Sequence, residues 1–317
     1  MIAKERTIPL KLQKLEALLR RLPHQHAKRD SIAEKLYRLK AGYRGEREID
    51  YPLSFLPEDT YWILHDLRLF DGSHYFQIDT LVISQRFALI LEVKNFKGVL
   101  VLEESFQQMI RIIDEKKEGF PNPVFQLERQ KNQLKKWFAF HHIAPIPIEG
   151  LVVISRPQTI LQSTPNHPHI HTMIHAEKIP FIVREMSQLH SKKKWSKNQV
   201  YEAIKLTLNE HAPLDIDILE QEEILPIELI KGVQCPFCDE LSMKRGWGRW
   251  DCLLCYKTSK TAHYAALNDY KLLISHTISN QQARNFLCIE SPIVTRKLLL
   301  TSPAREGTNR HRIYHLT

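Results

Sequence analysis

The most informative residues of this sequence are Gln77-Ile78-Asp79 and Leu91-Glu92-Val93-Lys94-Asn95. The second stretch closes an apolar run, so it is predicted to be a buried strand. Alternation along that strand puts Glu92 and Lys94 on the same face. Asp79 ends a preceding apolar-polar run, and a hairpin between the two strands would bring it beside Glu92. We therefore expect two carboxylates and one lysine to meet at one point of a sheet.

Two carboxylates and a lysine in one place suit metal-assisted cleavage of a phosphodiester bond. Carboxylate oxygens bind magnesium or manganese, which neutralises the charge developing on the phosphorane and acidifies an attacking water. A neighbouring lysine can orient or deprotonate that water, or stabilise the transition state. A Glu-x-Lys pair also occurs on solvated strand faces. Here, however, the pair ends an apolar run, where charged groups need a partner such as a metal ion.

Four motifs follow one another in the middle of the chain. They are Gly42-Tyr43-Arg44-Gly45-Glu46, then Gln77-Ile78-Asp79, then Glu92-Val93-Lys94-Asn95 with Gly98 after it, then Asn122-Pro123 with Gln126. In this order they resemble the nuclease-related domain (NERD), a branch of the PD-(D/E)xK, restriction-endonuclease-like superfamily. The resemblance covers residues 40–155, including Gly150–Ile154 as a later core strand. Ile78 replaces the ancestral proline, and the preceding glutamine is usual in this branch.

The resemblance implies an α/β fold, a restriction-endonuclease-like mixed central sheet flanked by helices. The hydrophobic patterns agree, because strands, then a helix, then a strand fit a sandwich built on a central mixed sheet. The predicted elements are strands over Tyr61–Leu67, Tyr75–Ser84, Ala88–Val93, Val99–Leu102, Met109–Ile113 and Leu151–Ser155, and helices over Pro123–His141 and Val200–Asn209. Residues 156–180, rich in proline and histidine, are predicted to be a loop.

The resemblance also implies roles for individual residues. Asp79 and Glu92 would bind magnesium or manganese, and Lys94 would be the catalytic lysine. Glu46 would point into the site from the first helix, as a ligand or a supporting contact.

Gln126 would support the site from the later helix, with Gln130 one turn on as a weaker candidate. Glu46 as a surface residue, and Gln126 as a capping or packing residue, are the alternatives. The fold alone does not establish activity, since function belongs to the site.

Cys235-Pro-Phe-Cys238 and Cys252-Leu-Leu-Cys255 are separated by 13 residues. Each pair can bind one ion from a tight turn, and two such turns close a tetrahedral zinc site. The spacing predicts a zinc ribbon over 232–260, with a structural and not a catalytic ion, since all four ligands are cysteines. The fifth cysteine, Cys288, is expected to be a core thiol in an apolar helix.

The last segment, 262–317, has the order of a winged helix-turn-helix. Asn280–Leu287 would be its first helix and Pro292–Leu300 its recognition helix, with Ser291 as the N-cap. Thr295, Arg296 and Lys297 would face the groove of DNA. Phosphates would be contacted by Arg296, Lys297, Arg305, Arg310 and Arg312. A small helical dimerisation module is the alternative.

Charge and hydropathy favour a nucleic-acid partner without a membrane. The chain has 317 residues and a net charge of +9, with 43% apolar residues, which is enough for a real core. The basic excess lies at both ends, and two basic ends suggest a polyanion, nucleic acid being the commonest. No apolar run has membrane-spanning length, the start does not resemble a secretory signal, and paired cysteines suit a reducing compartment, so we expect a cytoplasmic protein.

These observations predict a metal-dependent DNA nuclease with DNA as partner, magnesium or manganese as catalytic cofactor and zinc as structural cofactor. The expected parts are a basic helical extension (1–41), a nuclease-like domain (42–209), an acidic linker (210–231), a zinc ribbon (232–260) and a winged-helix-like module (262–317). Two alternatives stay open: a nucleic-acid-binding protein that kept the fold without cutting, and a regulatory factor that holds a partner protein. The sequence identifies no dimer surface, so a homodimer is left open.

Overall fold

The protein is described by a computed structural model over residues 1–103, 108–163, 169–300, 305–306 and 312–316. Its contacts divide it into two compact units. The first unit comprises Met1–Ile8 and Arg38–Leu214, and the second comprises Pro9–Tyr37 and Asp215–Thr317. The predicted basic extension therefore divides between the two units.

Within the described residues, ten strands belong to the first unit. In chain order they are β1 (Ile2–Lys4), β2 (Trp62–Phe70), β3 (Tyr75–Ile83), β4 (Ala88–Lys94), β5 (Val99–Glu103), β6 (Gln108–Ile113), β7 (Lys116–Pro121), β8 (Ile148–Ile154), β9 (Ile160–Ser163) and β10 (Met173–His175). Six of them form a mixed sheet in the order β1-β2-β3-β4-β8-β10, and four form a second sheet in the order β7-β6-β5-β9. In the six-stranded sheet, β2, β3 and β4 are antiparallel neighbours, whereas β1, β8 and β10 each pair in parallel.

The described residues include ten α-helices. In chain order they are α1 (Leu10–Arg21), α2 (Arg29–Glu48), α3 (Asp50–Leu53), α4 (Pro123–Phe140), α5 (Ile179–Leu189), α6 (Lys197–Glu210), α7 (Ile218–Gln221), α8 (Ala262–Leu273), α9 (Asn280–Leu287) and α10 (Pro292–Leu299). No helix in these described ranges is both long enough and apolar enough to span a bilayer.

Strand β4 is buried on both faces, as its continuous apolar sequence predicts. Ala88 and Ile90 belong to a core cluster that includes Leu127 and Leu134 of α4. Leu89 and Leu91 belong to a second cluster on the other side of the sheet, with residues of α3 and α5. The helix–sheet–helix layering confirms the predicted mixed α/β class.

Strands β2 and β3 interrupt their alternation at the same place. Leu64 and Leu67, three positions apart, both lie in the cluster under α4, although strict alternation would put them on opposite faces. The matching cross-strand pairs are Leu64 with Leu81 and Leu67 with Ile78. Between these pairs lie Asp66, whose φ is 51°, and Asp79. The irregularity therefore falls at Asp66 and Asp79, between these two regular pairs.

The second unit contains two three-stranded antiparallel sheets. Its strands are β11 (Met243–Arg245), β12 (Trp250–Cys252), β13 (Thr258–Ser259), β14 (Thr277–Ser279), β15 (Arg305–Glu306) and β16 (Ile313–His315), in the orders β11-β12-β13 and β14-β16-β15. The first sheet lies within the predicted zinc ribbon. The second lies in the C-terminal segment, with α9 and α10 between β14 and β15 in the chain.

Buried ion pairs connect α1 to α8 within the second unit. Arg21, whose side chain is fully buried, donates to Asp269 at 2.9 Å, and Arg20 donates to the other oxygen of Asp269 at 2.6 Å. Arg21 also donates to the carbonyl of Gly232 at 2.8 Å. Helix α1 is thus a structural part of this unit.

Three segments differ from the predicted elements. Residues 1–41 begin with a strand, β1, that joins the central sheet. The predicted loop over 156–180 contains the short edge strands β9 and β10. The predicted linker over 210–231 contains helix α7, capped by the side chain of Asp217. Each of these elements is too short for periodicity to identify, and each forms by pairing or capping against its neighbours.

Candidate functional site

Asp79 lies where the ladder between β3 and β4 ends. The last regular pair on this side is Thr80 with Leu91. One residue further, the Asp79 carboxylate accepts a hydrogen bond from the backbone N–H of Val93 at 2.8 Å. The Asp79 side chain therefore accepts this hydrogen bond in place of a backbone carbonyl of β3. This bond holds Asp79 beside Val93, the residue that follows Glu92.

Glu92 is the centre of a hydrogen-bonded group. Its side chain is only 3% exposed, and both carboxylate oxygens have partners. The ammonium of Lys94 donates to one oxygen at 2.7 Å and to Gln126 Oε1 at 3.0 Å. The amide of Gln130 donates to the other oxygen at 2.7 Å and to the carbonyl of Gln77 at 2.9 Å. Glu92 and Lys94 thus share one face, and α4 supplies both supporting amides.

Helix α4 is fixed in position at its start and along its side. Asn122 is its N-cap and accepts from the N–H of Val124 at 3.0 Å, and Pro123 occupies the first turn. A Cβ at Gly150 of β8 would lie 2.8 Å from Leu127, so only glycine allows this close packing of α4 on the sheet. The motif Asn122-Pro123 therefore sets where Gln126 and Gln130 point.

Helix α2 brings Glu46 to the same end of the sheet. A Cβ at Gly45 would lie 2.5 Å from Cβ of Asn95, so glycine is required for the helix to approach the end of β4. Asn95 in turn donates to the carbonyl of Ala41 at 2.5 Å and accepts from Arg156 at 2.8 Å. We call Glu46, Asp79, Glu92, Lys94, Gln126 and Gln130 the carboxylate site.

Arg6, which the sequence did not single out, is the main cation beside Glu46. Its side chain is 4% exposed and follows β1 at the edge of the sheet. The guanidinium contacts three carboxylates and two further groups: Glu46 (3.2 Å), Asp50 (3.1 Å), Asp66 (3.3 Å), His65 Nδ1 (2.9 Å) and Thr80 Oγ1 (3.0 Å). Burial, together with the charges of Arg6 and Lys4, lowers the pKa of His65 to about 3. The neutral imidazole therefore accepts a hydrogen bond from Arg6.

Asp66 and Arg6 differ in the signal they leave in the sequence. Strand alternation is broken in the stretch Leu64-His65-Asp66-Leu67. A break of this kind indicates that Asp66 has a functional role and not a packing role. Arg6 has no comparable signal, because β1 is three residues long and its pairing with β2 is distant in sequence.

Carboxylates crowd one another at this site. Burial, then the charges of Glu92 and Glu46, raise the pKa of Asp79 well above its ordinary value. Burial, followed by the charge of Asp66, raises the pKa of Glu46 to about 7, against the opposing effect of Arg6. Both shifts mean that negative charge is costly here, which is the environment that a bound cation relieves.

The donor atoms fit a hard divalent cation. Magnesium commonly takes one or two carboxylates and keeps several of its waters. Asp79 and Glu92 offer two such carboxylates, next to each other across two strands. Among the described residues, the four cysteines are the one group of three or more ligating side chains whose atoms lie within 4.8 Å of one another. The carboxylate site is therefore suited to an ion that is partly held by water.

The middle of the chain has recognisable relatives. Residues 41–155 match the family model of the nuclease-related domain, NERD. The carboxylate site lies entirely within this segment. The NERD match thus covers Glu46, Asp79, Glu92, Lys94, Gln126 and Gln130, whereas Arg6 lies outside it.

An uncharacterized protein of Bacillus anthracis is 29% identical over 98 residues, which are 31% of this chain and 46% of that protein. The chain thus matches about half the length of this relative. Among solved structures, protein VC1899 of Vibrio cholerae overlaps with a TM-score of 0.26 and 12% identity, over 59% of this chain and 58% of that one.

The paired cysteines of the second unit form a compact cluster. Sγ of Cys235 lies 3.6 Å from that of Cys255, and Sγ of Cys238 lies 3.7 Å from that of Cys252. Four thiolates at the usual Zn–S distance of about 2.3 Å form a tetrahedron with edges of about 3.8 Å. The cysteine cluster can therefore hold a zinc ion, as a zinc ribbon requires.

One of these thiols is prepared for a metal by its surroundings. The backbone N–H of Cys255, then the hydroxyl of Ser242, lower the pKa of Cys252 to about 6. A thiol with this pKa is largely thiolate at neutral pH, and the thiolate is the form that binds zinc.

The residues predicted to contact DNA have different positions in the second unit. Arg296 and Lys297 are exposed on α10, and Arg312, just before β16, is half-buried. Thr295 is fully buried and its hydroxyl donates to the carbonyl of Ser291 at 3.1 Å, so it faces the core and not a groove. Arg305 begins β15, and Arg310 lies outside the described residues.

Cys288 is not a core thiol, contrary to the prediction. It is exposed and ends α9 in a left-handed conformation with φ of 56°. The apolar run around it continues beyond the helix, which is why the sequence pattern placed it inside.

Proposed function

We propose that this protein is a metal-dependent DNA nuclease that hydrolyses phosphodiester bonds. The proposal rests on the meeting of Asp79, Glu92 and Lys94 at the end of β4, inside the segment that matches NERD. The same residues carry the PD-(D/E)xK resemblance in the sequence. Hydrogen bonds from Lys94 to Gln126 and from Gln130 to Glu92 hold the charged side chains in this arrangement, which apolar packing alone would not do.

Asp79 and Glu92 would hold a magnesium or manganese ion. When bound, such an ion supplies charge neutralisation at the phosphate and lowers the pKa of a coordinated water. Glu46 would add a carboxylate near the same point, and Arg6 would keep that carboxylate from turning away.

Lys94 is oriented for contact with a substrate. An ammonium has three N–H donors, of which Glu92 and Gln126 use two. The side chain is 24% exposed, so the third donor can reach a phosphate oxygen or the attacking water. In this role Lys94 orients the water or stabilises the developing charge.

The second unit would supply affinity for DNA. Arg296 and Lys297 are exposed on α10, and the cysteine cluster would keep the ribbon folded with zinc. On this proposal the second unit is a zinc ribbon followed by a winged-helix-like module. Binding through arginine and lysine should weaken steeply as salt is raised, because phosphate contacts release counterions.

Cleavage assays test the catalytic part of the proposal. Plasmid, linear duplex, single-stranded DNA and RNA are incubated with magnesium, with manganese or with EDTA. We expect metal-dependent cleavage of DNA that falls at least about 100-fold in Lys94→Ala. The matched control is Lys97→Ala, an exposed lysine three residues along, which should stay active.

Three outcomes would contradict the proposal. Cleavage that persists in Lys94→Ala would come from a contaminant. Binding without cleavage of any substrate, in the presence of either metal, would mean that the protein binds nucleic acid without cutting it. Weak binding that hardly changes with salt would instead favour a factor that holds a partner protein.

A further inference from the structure

A cleft of about 600 Å³ opens in the second unit between α9, α10 and β16. Asn280 and Gln281 line it from the first turn of α9, and Pro292 and Ile293 from the first turn of α10. Its other walls are Tyr314 and three arginines, Arg284, Arg296 and Arg312. We call it the arginine cleft. Its volume lies within the usual range for small-molecule sites, about 300 to 1,000 Å³.

Among the described residues, no carboxylate neutralises the three arginines. None of the described residues that line the cleft is acidic, and none of the three arginines has a described carboxylate at ion-pair distance. Arg284 donates through Nη1 to the carbonyl of Glu290 at 3.3 Å. Its Nε is buried and has no hydrogen-bond partner among the described residues. This Nε is closed to solvent, so a ligand in the cleft would be contacted by the outer N–H groups of Arg284 and not by Nε.

Phosphate is the acceptor that this arrangement fits. A guanidinium presents parallel N–H groups in a fixed plane, which match two oxygens of a phosphate. Three such groups around one cleft favour a ligand with more than one negative charge. The apolar atoms of Pro292, Ile293 and Tyr314 would contact a sugar or a base, which a bare inorganic anion lacks.

The cleft is defined by the spacing along α10. Pro292, Ile293 and Arg296 lie on one side of the helix, since residues three and four apart are neighbours on its surface. Lys297 is exposed as well but does not line the cleft. Arg296 and Lys297 carry the same charge on the same helix, but only Arg296 lines the cleft.

We propose that the arginine cleft binds successive phosphates of a nucleic-acid strand, with Arg284, Arg296 and Arg312 as the contacting residues. This inference deepens the proposed DNA affinity of the second unit and rests on it. It moves the main contact from the exposed face of α10 to the cleft between α9 and α10. Arg284 thereby becomes a binding residue that the sequence pattern did not indicate.

The experiment measures binding by the full, zinc-loaded chain to labelled single-stranded and duplex oligonucleotides, by fluorescence anisotropy over a range of salt in buffer without added magnesium or manganese. We expect Arg284→Ala and Arg296→Ala each to weaken binding about 10-fold and to reduce the salt slope by about one phosphate contact. Lys297→Ala, on the same helix but outside the cleft, should lose less affinity than Arg296→Ala. The control is Lys260→Ala, at an exposed lysine outside the proposed DNA contacts, which should change affinity less than about 3-fold. Arg284→Lys should restore only part of the affinity, because the planar fork is lost.

Three results would overturn the inference. The first is unchanged binding by Arg284→Ala. The second is an equal loss in Arg296→Ala and Lys297→Ala, which would mean that charge on α10 matters and the cleft does not. The third is displacement of DNA by poly-glutamate as effectively as by an unlabelled oligonucleotide of equal charge, which would make the cleft a site for acidic protein.

Further measurements distinguish binding of a nucleic-acid strand from binding of a single phosphate or nucleotide. Inorganic phosphate and a mononucleotide, titrated separately, should bind more weakly than the oligonucleotide, and tighter binding of either would overturn a strand-binding role. Arg296 is exposed, so its replacement tests the cleft without disturbing the fold. Because no magnesium or manganese is added, cleavage does not occur and the result does not depend on whether the carboxylate site is active.

Discussion

The cysteine cluster and the carboxylate site are both arrangements suited to a metal ion, but the chain builds them in opposite ways. Four cysteines within one short segment, Cys235 to Cys255, supply the first. The second draws on residues from Glu46 to Gln130, and Arg6 borders it from still further away. With zinc bound as proposed, the first site would depend on its ion for its core. The second is held by strands, helices and hydrogen bonds. The comparison predicts that metal removal unfolds the region around the cysteine cluster, whereas at the carboxylate site it abolishes activity and leaves the fold intact.

The largest expected effect is loss of structure around the cysteine cluster when zinc is removed. A structural zinc ion contributes on the order of 10 kcal/mol of apparent binding free energy at neutral pH. Trp250, which is fully buried beside Cys252, should become exposed, and a red shift of tryptophan emission on adding a strong chelator would report it. Cys235→Ser should have the same effect, while Cys288→Ser, at an exposed thiol outside the cluster, should not. Unchanged emission after verified loss of zinc would contradict the structural role.

The next effect is on chemistry without loss of fold. Asp79→Asn should reduce cleavage by about 1,000-fold, since it would remove a ligand of the proposed catalytic ion. The same change should leave the protein as stable or more stable, because it removes a carboxyl whose pKa is raised by burial and by Glu92. Cleavage rate and thermal unfolding are measured together, with the exposed Asp59→Asn as control. A large loss of stability in Asp79→Asn would mean that the residue is structural.

Arg6→Gln should destabilise the first unit by about 3 kcal/mol, because three carboxylates lose their shared cation. Urea unfolding measures the change, and Arg47→Gln, at an exposed arginine next to Glu46, is the control. Arg6→Lys should be intermediate, since an ammonium cannot reach all the acceptors of a guanidinium. If Arg6→Gln and Arg47→Gln were equally stable, the network around Arg6 would carry little energy.

The smallest effect is a dependence on pH. The pKa of Glu46 is about 7 in the folded protein, against an ordinary value of 4.5. The folded protein therefore keeps a proton that the unfolded chain has lost, and stability falls as pH rises from about 4.5 to about 7. The loss relative to Glu46→Gln should reach about 2 kcal/mol after allowing for solvent screening. Thermal unfolding of both zinc-loaded proteins between pH 4.5 and 7.5, without added magnesium or manganese, measures it, and parallel curves would refute it.

Much of the first unit could be predicted because its signals are local. The apolar run before Glu92 predicts a buried strand, and Asn122-Pro123 predicts the start of α4. The mixed α/β class follows from the order of these elements, and the structure confirms it. The cysteine pairs needed only their spacing.

The unpredicted parts depend on contacts between distant residues. Strand β1 forms only because β2 offers it an edge, and Arg6 enters the network with it. Thr295 has the polarity of a contact residue, but the turn of α10 directs it to the core. Arg284 lies on α9, so the sequence pattern of α10 alone could not identify it as a residue that lines the cleft.

The contact between Gly45 and Asn95 has a consequence for how this site can vary. An α-helix turns by about 100° per residue, so one residue inserted between Gly45 and Glu46 would swing the carboxylate far around the helix while the glycine stayed docked. The spacing between Gly45 and Glu46 must therefore stay fixed for Glu46 to reach the carboxylate site. A homologue that retained the glycine but shifted the acid by one place would keep the architecture and lose the reach of this side chain.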